Sequence, residues 1–380
     1  MRWRRFAVIL LVPALAGCSS DSTTRSQVLP VNPSPLAHLT YDCAILDGTT
    51  RTSTPEALFY LEPFDDGGSG QSRMCALDWD GKFVRQLERG LAVQQSADGS
   101  RLLAVDYPVT GTGPTPYVVV DDRNHVLQRL STIWNGEAIW ADDNRRLCYI
   151  QDSNPLGQGG LAYLALQLPG SAARRVATVG GINYSAPPRS NGPVVPIPFM
   201  AGPHLLVCSA SGDRAAVLDP AKGTVSLWRL SDGLELRTHA FGHPFYPFQN
   251  PAGSERLVAS GDGRYVADDV EGADDVPVID LVTDSVAAHL VAKSVAGFSS
   301  DSTRAVLQLN TQVVEVIDWR SGRVLKQLAG TYPYVFSPPA SQAVLVGVPS
   351  TRHQFGLDLY IVRGDGSAFE VARSVEVIGR

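Results

Sequence analysis

The sequence predicts an all-β fold, a seven-bladed β-propeller with four-stranded antiparallel blades that is closed by an N-terminal strand. Three observations support this prediction. Hairpin patterns recur along the chain at intervals of roughly 40–45 residues, as in repeat proteins with four strands per unit. Glycine at 35 and proline at 26 of 380 residues favour many turns and short strands. No segment beyond the N-terminal apolar stretch has helical periodicity.

Seven hairpins make up the repeat. In each one, apolar and polar residues alternate, a tight turn follows, and the alternation resumes; VIDWRSGRVLKQL at 316–328 is the clearest copy. The turn bears Gly, Asn or Asp, which most readily adopt the positive φ that such hairpins require. The turn residues are Gly81, Asn124, Gly170, Gly233, Asp284, Gly322 and Gly366. The pattern therefore predicts a pair of antiparallel strands around each of them.

A second pattern precedes the hairpins and predicts the inner strand of each blade. A polar turn leads into an apolar run in SADGSRLLAVD (96–106), ADDNRRLCYI (141–150), NPAGSERLVAS (250–260) and SSDSTRAVLQL (299–309). This pattern, over residues 40–373, resembles the turn and strand of WD40-like, TolB-type and YVTN-type propellers, and Phe298-Ser299-Ser300-Asp301 and Phe336-Ser337-Pro338-Pro339 match best. Tryptophan-aspartate is not repeated, so the resemblance does not imply the polar network of true WD40 blades.

The two ends of the chain are expected to meet in one blade. The seventh blade would take its first three strands from Ala340–Val348, Leu357–Arg363 and Ser367–Arg373. Its outer strand could be Val375–Ile378 or His38–Leu46, and we favour His38–Leu46 because joining the ends removes an open sheet edge. Two β-sandwich domains are the alternative fold, but seven similar units without a change in composition argue against it.

The N-terminus predicts export and lipidation. MRWRR is followed by the apolar stretch FAVILLVPALA, which is too short to span a bilayer, and then by Leu15-Ala16-Gly17-Cys18. These four residues resemble the lipobox of bacterial lipoproteins, which implies cleavage before Cys18 and a diacylglycerol on its sulfur. The expected organisation is a signal peptide at 1–17, a lipidated flexible stalk at 18–37 and one propeller domain at 38–380. An ordinary secretory peptide with a chance cysteine is the alternative.

The net charge and the predicted location of the protein limit the classes of partner it can bind. The chain has 32 basic and 38 acidic residues, a formal charge of −6, and it shows no basic stripe, so we expect no nucleic-acid partner. Removal of Arg2, Arg4 and Arg5 with the signal peptide would change −6 to −9. The expected location is the extracytoplasmic side of the cell envelope, on the outer membrane or the outer face of the plasma membrane. The expected partners are the membrane, through the lipid, and an unknown envelope protein.

Four cysteines remain after Cys18, and an oxidising compartment would allow them two disulfides with three possible connectivities. The favoured pairings join Cys43 to Cys75 and Cys148 to Cys208. The absence of a CxxC motif argues against a zinc site.

The sequence contains no recognised catalytic or cofactor motif. GxSxG, HExxH, a glycine-rich phosphate loop and an EF-hand are all absent, so no catalytic residue, metal or cofactor is predicted. His239 and His243 are interpreted as solvated or capping residues. Asp78-Trp79-Asp80-Gly81 faintly resembles a calcium loop but is interpreted as a hairpin turn. The recurring acidic pairs could bind cations, but they are interpreted as turns and solvated edges. These pairs are Asp65-Asp66, Asp121-Asp122, Asp142-Asp143, Asp268-Asp269 and Asp274-Asp275.

Long connections predict the binding surface. The longest are Phe64–Arg73, Pro108–Pro116, Ser153–Gly160, Pro349–Gly356 and Gly180–Pro198, and all are expected on one face. Binding usually occurs on such loops, although neutral loop variation would give the same pattern. The candidate partner-binding residues are Phe64, Tyr184, Arg189, His353 and Phe355. The predicted function is a non-enzymatic protein-interaction platform. The alternative is a hydrolase, a lactonase-type enzyme or a small-ligand binder that uses the central channel.

Overall fold

The structure is a computed structural model that describes the strands and many of the turns between them. It describes residues 58–63, 74–78, 83–87, 91–96, 100–105, 117–121, 125–130, 133–143, 145–154, 160–182, 202–242, 256–270, 273–330, 333–336, 343–349 and 357–377. The proposed signal peptide, the stalk and the expected closing strand His38–Leu46 lie outside these residues.

The described residues form 27 β-strands. The first three are β1 (Leu58–Pro63), β2 (Met74–Asp78) and β3 (Phe83–Leu87). Blade I contains β4 (Leu91–Gln95), β5 (Arg101–Val105), β6 (Tyr117–Asp121) and β7 (Val126–Leu130). Blade II contains β8 (Ile133–Trp140), β9 (Leu147–Asp152), β10 (Gly160–Gln167) and β11 (Arg174–Ile182). Blade III contains β12 (His204–Ser209), β13 (Arg214–Asp219), β14 (Thr224–Arg229) and β15 (Glu235–Ala240).

The later strands continue the same pattern. Blade IV contains β16 (Arg256–Ala259), β17 (Tyr265–Asp269), β18 (Val276–Asp280) and β19 (Ser285–Leu290). Blade V contains β20 (Ser294–Phe298), β21 (Arg304–Gln308), β22 (Val313–Asp318) and β23 (Arg323–Ala329). The last strands are β24 (Tyr334–Phe336), β25 (Ala343–Pro349), β26 (Leu357–Arg363) and β27 (Ala368–Val377). The protein is therefore an all-β propeller with four-stranded antiparallel blades.

The described residues form six blades, not the predicted seven. Five sheets have four strands each, and the sixth, blade VI, has seven strands in the order β24-β25-β26-β27-β1-β2-β3. The two end units share one sheet because β27 is ten residues long and pairs first with β26 and then with β1. In the second pairing, Leu61 lies opposite Val377 and Pro63 opposite Val375. In the described residues, the contact between the chain ends is thus made by the C-terminal strand.

The strand order within a blade also differs from the prediction by one position. The first strands line the centre, where β12 contacts β8 and β16, and β20 contacts β16 and β24. The apolar runs expected to be innermost, such as the one in 299–309, instead form second strands. The first strands carry little sequence pattern, and β24 is only Tyr334–Phe336.

The core lies between the blades. Each pair of consecutive blades from I to VI encloses one cluster of buried apolar side chains. Between blades II and III, for example, Ile150 and Leu164 pack with Leu205 and Val217. Both faces of each described sheet are therefore buried along the inner strands, which explains why second strands read as nearly continuous apolar runs.

A buried serine closes the first turn of four blades. Ser96, Ser209, Ser260 and Ser299 are all fully buried. In three of them, the side-chain oxygen accepts a hydrogen bond from the backbone N–H five residues later. These bonds run from Arg101 to Ser96 at 3.0 Å, from Tyr265 to Ser260 at 2.9 Å and from Arg304 to Ser299 at 2.9 Å. The repeated polar turn of the sequence thus closes the first hairpin of each of these blades. Within the described part of the chain, no helix is long and apolar enough to cross a membrane.

Candidate functional site

The two faces of the ring carry different connections. Because consecutive strands of a blade are antiparallel, their connections alternate between the two faces. One face, the turn face, carries tight turns such as 210–213, 260–264 and 319–322. The other, the loop face, carries the connection between the second and third strands and the passage to the next blade. Its long connections are 106–116, 153–159, 183–203, 241–255 and 350–356.

The 153–159 connection of the loop face leaves from firmly bonded strand ends. At the end of β9, the buried carboxylate of Asp152 accepts the N–H of Asn154 at 2.8 Å. Ser153 accepts the N–H of Leu161 at 2.7 Å through its hydroxyl and donates its own N–H to the Leu161 carbonyl at 3.0 Å. These bonds hold both stems of the 153–159 connection, so the ring presents its long segments from a rigid frame.

On the turn face, the outer hairpins of blades II, III and VI dock on the preceding unit. The hairpin turn of blade III approaches β11, where a Cβ at Gly233 would overlap the carbonyl oxygen of Val176. The last hairpin approaches β23 in the same way, and a Cβ at Gly366 would lie 2.9 Å from the Leu325 carbonyl oxygen. In blade II, the Gly170 N–H donates to the Gln128 side chain of blade I at 3.0 Å. The glycine repeat therefore serves contact between blades as well as turn geometry.

The corresponding contact between blades III and IV is ionic. Asp284 occupies the turn position with a φ of 58°. Its carboxylate lies 2.6 Å from Nδ1 of His239 and 3.8 Å from the guanidinium of Arg237, both on β15. The His239 ring also meets the edge of Phe241, with centroids 4.6 Å apart. His239, interpreted from sequence as a solvated or capping residue, thus links two blades, while His243 lies outside the described residues.

A carboxylate joins blades II and III near the centre of the turn face. Asp142 accepts the N–H groups of Ala210 at 2.5 Å and Ser211 at 3.1 Å. It also accepts the hydroxyl of Ser209 at 3.0 Å and that of Ser211. The same two blades are covalently joined, because Cys148 on β9 and Cys208 on β12 form a disulfide with their Cα atoms 6.2 Å apart. Both cysteines are buried.

An arginine and a carboxylate pair within blade IV. Arg264 donates to Asp280 through Nε at 3.0 Å and Nη2 at 2.7 Å. Burial raises the pKa of Asp280, but the Arg264 hydrogen bond and charge and the amides of Val282 and Thr283 outweigh it, so the pKa lies below its ordinary value. Both guanidinium N–H groups converge on Oδ2 of Asp280, while Oδ1 accepts the Val282 N–H, so this carboxylate is a structural ion-pair partner rather than a free acid.

The acidic side chains of the described residues lie in turns and contacts between strands or blades. Among the described residues, no group of three His, Cys, Asp or Glu side chains could hold a metal ion. The acidic pairs that fall in this part of the chain serve turns and blade contacts. Asp143 accepts the amides of Arg145 and Arg146, both at 3.0 Å, and Asp269 accepts the N–H of Val295 in the next blade at 3.2 Å.

The predicted binding and modification residues mostly fall beyond the described chain. Cys18, Cys43, Phe64, Tyr184, Arg189, His353 and Phe355 lie outside the described residues. Cys75 lies on β2, but its side chain is not described, so its bond to Cys43 stays a prediction. The strands place the ends of the 183–203 and 350–356 connections, which contain four of these residues, at the loop face.

Sequence reasoning missed the residues that join the blades. Gln128, Asp142 and the buried serines carry no known motif, and each is an ordinary polar residue in a turn or outer strand. The one available signal was the five-residue interval from each turn serine to the first residue of the second strand. That interval recurs at Ser96, Ser209, Ser260 and Ser299.

No known protein family matches the sequence, and no curated protein matches it. Solved structures resemble its fold. Apo prolyl oligopeptidase B from Galerina marginata aligns with a TM-score of 0.52 at 11% identity, covering 84% of this chain and 52% of that one. "KlHsv2 with loop 6CD replaced by a Gly-Ser linker" gives 0.47 at 10% identity, with 81% and 92% covered. A functionally unknown protein from Desulfotomaculum acetoxidans DSM 771 gives 0.44 at 10% identity, with 84% and 99% covered.

The first of these similarities supports the β-propeller fold. This chain spans about half the length of the prolyl oligopeptidase, at 52%. At such low identity the likeness concerns the fold alone.

Proposed function

We propose that the protein is a lipid-anchored propeller of a bacterial cell envelope that binds a protein partner through its loop face and catalyses no reaction. The observation that carries this proposal is the unequal length of the connections on the two faces. The turn face has tight turns used for contacts between blades, whereas the loop face bears segments as long as 183–203. Extended loops on a rigid scaffold are a common basis for recognition.

Two chemical features support a location in the cell envelope. The lipobox-like Leu15-Ala16-Gly17-Cys18 implies a diacylated Cys18, and two acyl chains would give a stable anchor. The Cys148–Cys208 disulfide is the kind of bond that persists in an exported protein. The buried turn serines also favour a propeller of the WD40-like, TolB-like or YVTN type.

The test compares four forms of the full chain expressed in a bacterial host of the same envelope type, the fourth being the turn-face control Arg320→Ala. One is wild type, one replaces residues 184–200 with a short Gly-Ser linker, and one carries Cys18→Ser. The linker leaves β11 and β12 complete. Membranes are fractionated, and bound proteins are captured after cross-linking and identified by mass spectrometry.

The proposal expects wild type in the membrane fraction, cross-linked to a partner at loop-face residues. The linker variant should stay in the membrane and lose most of the captured partner, while Cys18→Ser should leave the membrane fraction. Arg320→Ala on the turn face is the control and should retain the partner. Undiminished capture by the linker variant would refute the binding face. A bound metabolite without a protein partner would favour the channel-based alternative.

A further inference from the structure

One outer strand differs in charge from all the others. The outer strands of the six blades are β3, β7, β11, β15, β19 and β23. Five of them carry at least one arginine, and β15 and β23 also carry Glu235 and Lys326 respectively. β19 reads SVAAHL and has no lysine, arginine, aspartate or glutamate. Charged side chains on a sheet edge normally oppose pairing with another chain, so β19 lacks this protection.

Apolar side chains accompany this neutral edge. Val286 on β19 is 51% exposed, and Val282 and Val291 on either side of the strand are 43% and 78% exposed. Exposed valines grouped around one edge strand favour contact with another protein surface. The described part of blade IV thus ends in an uncharged strand with accessible apolar neighbours.

The turn glycine of the neighbouring hairpin does not press on this strand as its counterparts do. β11 and β23 meet the next hairpin at Gly233 and Gly366, where an added Cβ would press on the strand backbone. The hairpin that follows β19 turns at Gly322, and a Cβ there would meet no atom within 4 Å. The bulge in β19 after Val286 has counterparts in β15 and β23, so it does not distinguish this strand.

We propose that β19 is a self-association edge, at which a second copy of this chain pairs its own β19 antiparallel across a two-fold axis. Such a contact is isologous, so each strand meets its own sequence. β19 can do this without placing like charges opposite each other. The same arrangement at β23 would bring Arg323 and Lys326 near their copies, and at β11 it would bring Arg174 and Arg175 together.

The chain contains a matched pair of valines for the test. Val286 pairs with Ile279 beside the bulge in blade IV, and Val324 pairs with Ile317 beside the equivalent bulge in blade V. Their exposures are 51% and 47%. Lysine is tolerated equally at two such exposed positions, so V286K and V324K differ mainly in which edge they charge. Thermal melting establishes that both variants fold.

Sedimentation velocity of the full chain from about 1 to about 100 µM measures the dimer directly, since complexes of micromolar affinity dissociate in this range. Wild type and V324K should dimerise equally, and V286K should raise the dissociation constant about tenfold or more because each copy would bring a lysine into the paired edge. Hydrogen exchange at residues 285–291 should slow with concentration in wild type and not in V286K. A monomeric wild type, or equal dimerisation of V286K and V324K, would overturn the proposal.

Discussion

At the level of single residues, two glycines with the same backbone conformation carry different structural demands. Gly233 and Gly322 have φ values of 73° and 72°, and each donates its N–H to a carbonyl four residues earlier, in Arg229 and Asp318. Their turns are locally equivalent. They differ because Gly233 lies against Val176 of the preceding blade, whereas Gly322 has open space around it.

Alanine at the two positions should therefore separate turn geometry from blade contact. Gly322→Ala should lower the free energy of unfolding by about 1–2 kcal/mol, because alanine disfavours the left-handed backbone conformation. Gly233→Ala carries the same cost and also forces the hairpin away from β11, which should destabilise the fold by about 1–3 kcal/mol more. Urea unfolding of both variants measures the difference. Equal losses would show that the close approach to Val176 has no energetic weight.

At the level of elements, the hairpins of the turn face depend on carboxylates that end the third strand. Asp280 accepts the Val282 N–H at 2.9 Å and the Arg264 side chain, and Asp318 accepts the Ser321 N–H at 3.1 Å. The pKa of Asp318 is lowered first by the Ser321 amide, against a smaller opposing effect of burial. The turns were predictable from sequence because Gly and Asp recur there. Their attachment to neighbouring blades was not, since contact between repeats leaves no local pattern.

These carboxylates make the fold sensitive to acid. The pKa of Asp280 is lower in the folded state than its ordinary value of 3.8, so its contribution to stability is complete above that value and is lost as the pH falls through the folded pKa. Asp280→Asn should be less stable than wild type at neutral pH and should lose less stability on acidification below about pH 4. Urea midpoints at neutral and acidic pH test this. Parallel pH profiles for the two proteins would contradict it.

At the level of the whole molecule, the ring is joined by contacts that the repeat pattern could not specify. Periodicity predicted an all-β propeller, but counted seven separate blades because it could not detect one strand shared by two units. Pairing between β27 and β1 joins residues that are more than 300 positions apart in the sequence. Only the three-dimensional structure reveals this pairing. The candidate site was predicted only as a face with long loops. Its chemistry depends on segments without repeat or motif.

The C-terminal strand should accordingly matter more for stability than its terminal position suggests. A chain that ends at Arg373 loses the pairing of residues 375–377 with β1 and exposes two sheet edges. Its thermal midpoint should fall by several degrees, because a loss of about 1 kcal/mol already shifts small domains by a few degrees. Removal of residues 378–380 alone, beyond β27, is the control and should have little effect. A melting temperature unchanged by the longer truncation would contradict this role.

Because the two end units share the sheet of blade VI, the chain could begin and end elsewhere without changing the arrangement of the blades in space. Since β27 already lies beside β1, a peptide linking residues 377 and 58 could close the backbone, and new termini could be opened within 183–203. Such a circular permutant would retain every described strand pairing. With a lipidated cysteine placed at its new N-terminus, the permutant would be anchored at the junction of blades II and III. The ring would then face the membrane with a different sector than it would with a lipid attached before β1.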